Sequence, residues 1–143
     1  MIYLDSNVLL RYFILEPEPH LARLHRQSTT LLDSVRNGEL EATISEVVLH
    51  EVASVLTSPR LYRVSRIDAA EYLATFVNLP GLRLARGDRS LFLRAIELFG
   101  RHSAISMADA LIVARAERQQ IPLATFDRAL DRLPYAESWE FQD

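Results

Sequence analysis

Four acidic residues, Asp5, Glu51, Asp109 and Asp127, stand where this short chain has the means to do chemistry. Asp5 follows the apolar run Ile2-Tyr3-Leu4 and precedes the helix-capping residues Ser6 and Asn7; Asp127 ends the segment Leu123-Ala124-Thr125-Phe126-Asp127. Glu51 lies within Glu46 to Leu56, where helical winding sets it between Val47, Val48 and Val55. Asp109 sits at the start of the apolar stretch Met107 to Ala116. A carboxylate at a strand end or on an apolar helix face is costly unless something positive gathers it. A divalent metal does so in a small α/β domain, taking oxygen ligands and keeping some of its water. The chemistry expected of such a cluster is metal-assisted hydrolysis of phosphodiesters.

Each acid also has a plainer reading. Asp5 is a possible N-cap, although Ser6 and Asn7 would serve equally well and leave it spare. Glu51 could reach water from the rim of its helix. Ser106-x-x-Asp109 before an apolar run matches a capping box. Asp127 could cap a helix over 128–133, with Thr125 as an alternative cap or a supporting hydroxyl, and Asp131 is a further acid better read as a solvated helix face.

The elements that must position these acids read as strands alternating with helices. Strands are expected at 2–4, 42–44, 82–84 and 121–124, the last starting at Pro122, with an edge strand at 138–141. Helices are expected after Asp5, over 21–37 with Asn37-Gly38 as the stop, over 46–56 behind a Ser45 cap, and over 68–78, 90–99, 106–117 and 127–133. Pro17 and Pro19 are expected to stop the first helix. That order implies βαβ units around a mainly parallel sheet covered on both faces, in which ligands collect beyond the carboxyl ends of the strands. Asp5 and Asp127 both follow expected strands. Leu9, Phe13 and Leu56 are either core or a partner groove.

Composition narrows the possibilities. At 143 residues, with 49% hydrophobic and 24% charged residues, the chain is expected to form one domain over 1–143 with a sizeable core. It has no cysteine, hence no thiolate chemistry, and with Ile2-Tyr3-Leu4 leading straight to Asp5 neither a basic leader nor a membrane-spanning segment is expected. A soluble, cytoplasmic protein is the expectation. All 16 basic residues are arginine, so lysine chemistry and a Gly-Lys-Ser/Thr phosphate loop are excluded. The four glycines form no dinucleotide-binding pattern. The net charge of −3 does not exclude a polyanionic substrate: setting four metal-binding acids aside from the 19 leaves 15 against 16 arginines. His20, His25, His50 and His102 lack paired metal spacing and read as surface residues, against a zinc site.

Taken in chain order, an apolar strand then Asp5, a mid-helix Glu51, a helix-start Asp109 and a strand-Thr-x-Asp127 resemble the PIN-domain ribonucleases, and within them the VapC-type toxins of toxin–antitoxin modules. The matching segments are Tyr3 to Val8, Ser45 to Glu51, Asp109 to Ala114 with Ala116, and Leu123 to Asp127. The resemblance implies a three-layer α/β/α sandwich with a mainly parallel sheet of four to five strands. It also implies Mg²⁺ or Mn²⁺ held by Asp5, Glu51, Asp109 and Asp127, with Asn7 and Thr125 in supporting positions. RNA is the implied substrate, and a homodimer neutralised by a small antitoxin the implied assembly. Two stretches, 20–37 and 59–66, carry no signature of the family. Arg60, Arg63 and Arg66, with Tyr62 among them, form one candidate track for phosphates, and Arg11 is another. A solvated face or an antitoxin-binding surface is the competing reading of the Arg60 group. The competing functions are a non-catalytic binding protein on the same fold and a phosphomonoester hydrolase, the latter lacking its Asp-x-Asp motif because Ser6-Asn7 follows Asp5.

Overall fold

A computed structural model describes residues 1–142 of the 143. Two short strands, β1 (Ile2–Tyr3) and β2 (Ala42–Thr43), pair in parallel, with Ile2 opposite Ala42 and Tyr3 opposite Thr43. Seven helices complete the described residues: α1 (Ser6–Phe13), α2 (Pro19–Arg36), α3 (Glu46–Thr57), α4 (Arg66–Val77), α5 (Asp88–Arg101), α6 (Met107–Gln119) and α7 (Arg128–Asp131). Both strands stop early for a local reason. Leu4 still donates to the Thr43 carbonyl (3.0 Å), but Asp5 and Ser45 are already N-caps, so each chain turns into helix.

The other three expected strands survive as single bridges. Leu82 meets Ala42 in parallel, with Ala42 N–H on the Gly81 carbonyl (3.0 Å) and Arg83 N–H on the Ala42 carbonyl (2.8 Å). Gly81 makes this approach possible, since a Cβ there would lie 2.4 Å from the Leu40 carbonyl oxygen and 2.5 Å from that of Val35. Leu123 meets Ser138, also in parallel. Its neighbour Pro122 has no N–H with which to extend a ladder. The molecule is therefore an α/β fold rich in helix, whose regular ladder is two strands wide among the described residues.

Helix starts follow the capping chemistry. Ser45, Ser65 and Ser106 each accept from the backbone N–H three residues on, at 3.4, 3.1 and 3.1 Å. Pro19 is a correction: it opens α2 instead of stopping α1. It occupies the first helical position, where its missing N–H costs nothing, and the Glu18 carboxylate caps His20 and Leu21 at 3.1 and 3.0 Å. Those two N–H groups hold the Glu18 carboxyl below its ordinary pKa.

One hydrophobic cluster joins the helices. α5 packs between α4 and α6, and α3 packs on α1, α4 and α6. Leu49, Val52 and Leu56 of α3, Phe76 of α4, Phe92 and Phe99 of α5 and Met107 of α6 are buried there. Truncating any of the three phenylalanines to alanine would cost about 3–5 kcal/mol. Leu9 and Leu56 are fully buried and belong to the core; Phe13 is half-buried and stacks on Tyr72 (centroids 5.7 Å, 16°) at the wall of a cleft between α1, α2 and α4. No described helix is long and apolar enough to cross a membrane.

Candidate active site

Parallel pairing of β1 and β2 brings Asp5 and Ser45, each two residues past its strand, to the same edge of the ladder. The Asp5 side chain accepts from Ser6 N–H at 2.7 Å, capping α1 as the plainer reading anticipated. The rest of the carboxylate is exposed and meets no described arginine. Asn7, one residue into α1, is exposed and lines a cavity of about 480 Å³ between α1 and α2, together with Arg11 and Ser28.

Glu51 takes the plainer of its two expected settings, the rim of its helix. It is exposed, and of its helical neighbours Val47 is 70% exposed while Val48 is buried. The residue lies at the boundary of the buried face of α3 and points to water, so no burial penalty demands a partner for it. The preceding residue links the site together instead. His50 Nδ1 accepts from Ala108 N–H at 3.1 Å, tying α3 to the first turn of α6. Asp109 follows Ala108, so the acids of α3 and α6 are each one residue from this bond. His50 is half-buried, as are His25, whose Nδ1 lies 2.7 Å from the Arg11 carbonyl, and His102, whose Nε2 lies 2.9 Å from the Tyr135 hydroxyl. Only His20 is a plain surface residue.

Asp109 forms the expected capping box: it accepts from Ser106 N–H at 3.0 Å while Ser106 Oγ accepts from Asp109 N–H at 3.1 Å. One carboxylate oxygen is thereby engaged, and the residue is half-buried. Asp127 caps α7 by accepting from Ala129 N–H at 2.8 Å, and its own N–H donates to Thr125 Oγ1 at 3.0 Å. Thr125 thus shapes the turn that carries Asp127. That turn follows the Leu123–Ser138 bridge, which is separate from the β1–β2 ladder among the described residues.

Three of the four acids are therefore helix caps with a free second oxygen, and the fourth is an exposed helix residue. None joins the ion pairs among the described residues. Their donors are hard oxygens, which suit Mg²⁺ or Mn²⁺. No three described carboxylates or imidazoles are close enough to hold one ion together. What fits this arrangement is a hydrated cation held through one or two carboxylates and its own waters, the usual manner of Mg²⁺, and not a closed cage.

The PIN domain family matches residues 2–135, nearly the full chain. The chain belongs to the PIN family. No individual curated protein matches it. PIN domains are typically hydrolytic nucleases that need a divalent metal, and the matched span contains all four acids.

The arginines of this PIN domain divide unevenly. Arg66, expected on a phosphate track, is turned inward. Its Nη1 donates to the carbonyls of Ile105 (2.6 Å), His102 (3.0 Å) and Phe99 (3.2 Å), and its guanidinium lies 4.2 Å from the Phe99 ring centroid. Burial lowers its pKa. It closes the C-terminus of α5, where unpaired carbonyls favour a cation, and fixes the turn leading to Ser106. Sequence spacing carries no signal for this contact, which spans 33–39 residues. Arg63, at φ 54°, donates to the Pro59 carbonyl (2.7 Å), whereas Arg60 is exposed. Arg11 lies 3.6 Å from Glu16, with its Nη1 buried and without a hydrogen-bond partner. Arg89 donates to the Val77 and Leu82 carbonyls, a second inward clamp that the sequence did not reveal.

Proposed function

We propose that this PIN domain is a divalent-metal-dependent endoribonuclease, the toxin of a toxin–antitoxin pair acting in the cytoplasm on RNA. The observation that carries the reading is a convergence. Asp5 leaves the carboxyl edge of β1 beside the start of α3, and α3 is bonded through His50 to the first turn of α6. The elements bearing Asp5, Glu51 and Asp109 are thus joined in sequence through α3, with no arginine neutralising the three carboxylates among the described residues.

In this reading a hydrated Mg²⁺ or Mn²⁺ would be held by one or two of Asp5, Glu51 and Asp109 directly and by the rest through its waters, and Asp127 would bind or orient the attacking water. When bound, the metal lowers the pKa of that water and stabilises charge on the phosphoryl oxygens. Backbone N–H groups at the caps of α1, α6 and α7 fix one oxygen of each aspartate and leave the other for the site. Asn7 and Thr125 support Asp5 and Asp127. Arg60 and Arg11 remain the arginines proposed for phosphate contact, Arg63 contributing less because it folds back on Pro59. A three-layer sandwich of four to five strands is the architecture proposed around the observed ladder, the bridges at Leu82 and Leu123 marking where it would widen. The antitoxin and the homodimer rest on the resemblance to VapC-type toxins.

The test is cleavage of total cellular RNA by purified protein with Mg²⁺ or Mn²⁺, beside EDTA and Asp5→Asn controls. Discrete fragments requiring both metal and Asp5 are expected. The spread of the four acids supports a second reading, a non-catalytic binding protein whose acidic edge takes a partner's arginine. Absence of cleavage in a folded sample free of copurifying protein, with metal-independent binding of an arginine-rich peptide, would establish that reading instead.

A further inference from the structure

Beside Asp127 the chain exposes aromatic rings that neither the core nor the acid site uses. Phe126 is 88% exposed and Phe141 50%, and their rings stack at 4.5 Å between centroids and 18° between planes. Trp139, 55% exposed, belongs to the same segment, which is held to Leu123 by the bridge at Ser138 and by Trp139 N–H on the Leu123 carbonyl (2.9 Å). The outward direction of Phe126 is set by its neighbours, since Asp127 N–H is bonded back to Thr125 Oγ1 and Asp127 caps α7. A phenyl ring covered on one face by Phe141 yet 88% exposed has its other face open to solvent.

We infer that this open face is a seat for one unpaired RNA base, next to the phosphodiester proposed to be cleaved. The inference rests on the ribonuclease reading above and adds to it an aromatic base-binding seat at Phe126. Phe126 and Asp127 are adjacent in the chain, with Cα atoms about 3.8 Å apart, so a strand whose phosphate lay at Asp127 would have a neighbouring base within reach of the Phe126 ring. Stacking on an aromatic ring is tolerant of base identity because every base has a π-face. Arg128 and Arg132, a few residues further along the chain, form no ion pair among the described residues, and the acids Asp131, Glu137 and Glu140 of the same stretch offset their charge. Stacking therefore carries the contact, and its contribution is expected to depend little on salt.

The test measures binding of fluorescein-labelled rU10 and rA10, and of a ten-base-pair RNA duplex, by anisotropy in EDTA, where no cleavage occurs. Phe126→Ala is expected to weaken binding of both single strands about 5- to 100-fold and to leave duplex binding and the melting temperature unchanged. Phe126→Trp is expected to retain binding, and Phe126→Leu, apolar without a π-face, to lose it. The seat is overturned if Phe126→Ala binds the single strands as the unaltered protein does, if the unaltered protein binds neither, or if Phe126→Leu binds normally. It is also overturned if Phe126→Ala changes only the mass in light scattering, which would make the stack a protein contact. Phe126-dependent binding of the single strands, together with no cleavage of total cellular RNA on adding Mg²⁺, would sink the ribonuclease reading and leave the seat standing.

Discussion

Arg66 and Asp5 show two opposite ways of placing a charge in one small molecule. Arg66 is drawn inward onto three carbonyls and an aromatic ring, at the junction of α4, α5 and the turn into α6. Asp5 stands at the edge of the ladder, held by its neighbour Ser6 alone and otherwise facing water. The first charge is over-determined, so its loss is a folding event. The second is held lightly, and whatever its charge does beyond capping α1 is done to something outside the chain. The same contrast separates Arg89 from Asp127. Position in the contact network, more than residue type, tells structural charge from available charge here.

The sharpest way to break this comparison is Asp5→Asn. Asparagine caps a helix as well as aspartate does, so the melting temperature is expected to change by no more than about 2 °C. RNA cleavage is expected to fall by about 10²- to 10³-fold or more, the scale of losing a principal electrostatic group. A variant that cleaves normally would remove Asp5 from the site. Arg66→Ala is the mirror experiment: stability is expected to drop by about 3 kcal/mol in urea unfolding, because buried carbonyls lose their donor. Cleavage per folded molecule should hold. If RNA binding weakens instead while stability stays, the inward assignment of Arg66 is wrong.

Asp109 lies between the two extremes, being both cap and candidate ligand. Asp109→Asn keeps a side-chain acceptor for Ser106 N–H and removes the charge, whereas Asp109→Ala removes both. The alanine variant is expected to lose about 1 kcal/mol of stability and the asparagine variant little, with both losing cleavage. Equal cleavage by the asparagine variant and the unaltered protein would make Asp109 a cap and nothing more.

The division between local and distant contacts also marks what could be read from sequence. The Ser106–Asp109 box, the Ser45 cap and the Asn37-Gly38 stop were legible because they are written within a few residues. Pro19 is ambiguous in sequence because proline both ends and opens helices, and the Glu18 carboxylate decides between the two by capping His20 and Leu21. Strand length is not written locally: Leu82 and Leu123 have strand-like neighbours, but each makes one bridge, since pairing depends on how closely Gly81 and Pro122 let backbones approach. The aspartate positions of the site were legible as types and spacing. The setting of Glu51 stayed open between an apolar face and the rim of its helix, because which side of α3 is covered depends on its packing against α1, α4 and α6. The Arg66, Arg89 and His50 contacts were invisible, since a carbonyl or amide contributed by a distant turn leaves no mark in local composition.

The smallest expected effect belongs to a tether of intermediate kind. Arg94 of α5 grips Glu117 of α6 with two hydrogen bonds, 2.8 and 2.9 Å, and lies 4.9 Å from the Tyr135 ring centroid beyond α7. It is neither enclosed like Arg66 nor open like Asp5, its side chain being 28% exposed and that of Glu117 32%. The bonds from Arg94 hold the Glu117 carboxyl below its ordinary pKa. A carboxylate depressed in the folded state contributes stability above its unfolded pKa, about 4.3, and loses it as the pH falls through the lower folded value. Glu117→Gln is therefore expected to be less stable at pH 7 by about 1 kcal/mol, the upper end for a partly exposed pair. In urea unfolding between pH 7 and pH 2 the two proteins should converge only in the acid limb, below about pH 4. A constant difference across that range would mean that shape and not charge joins α5 to α6, and would leave Arg66 and Arg89, each gripping backbone carbonyls, as the charged links of the helical body.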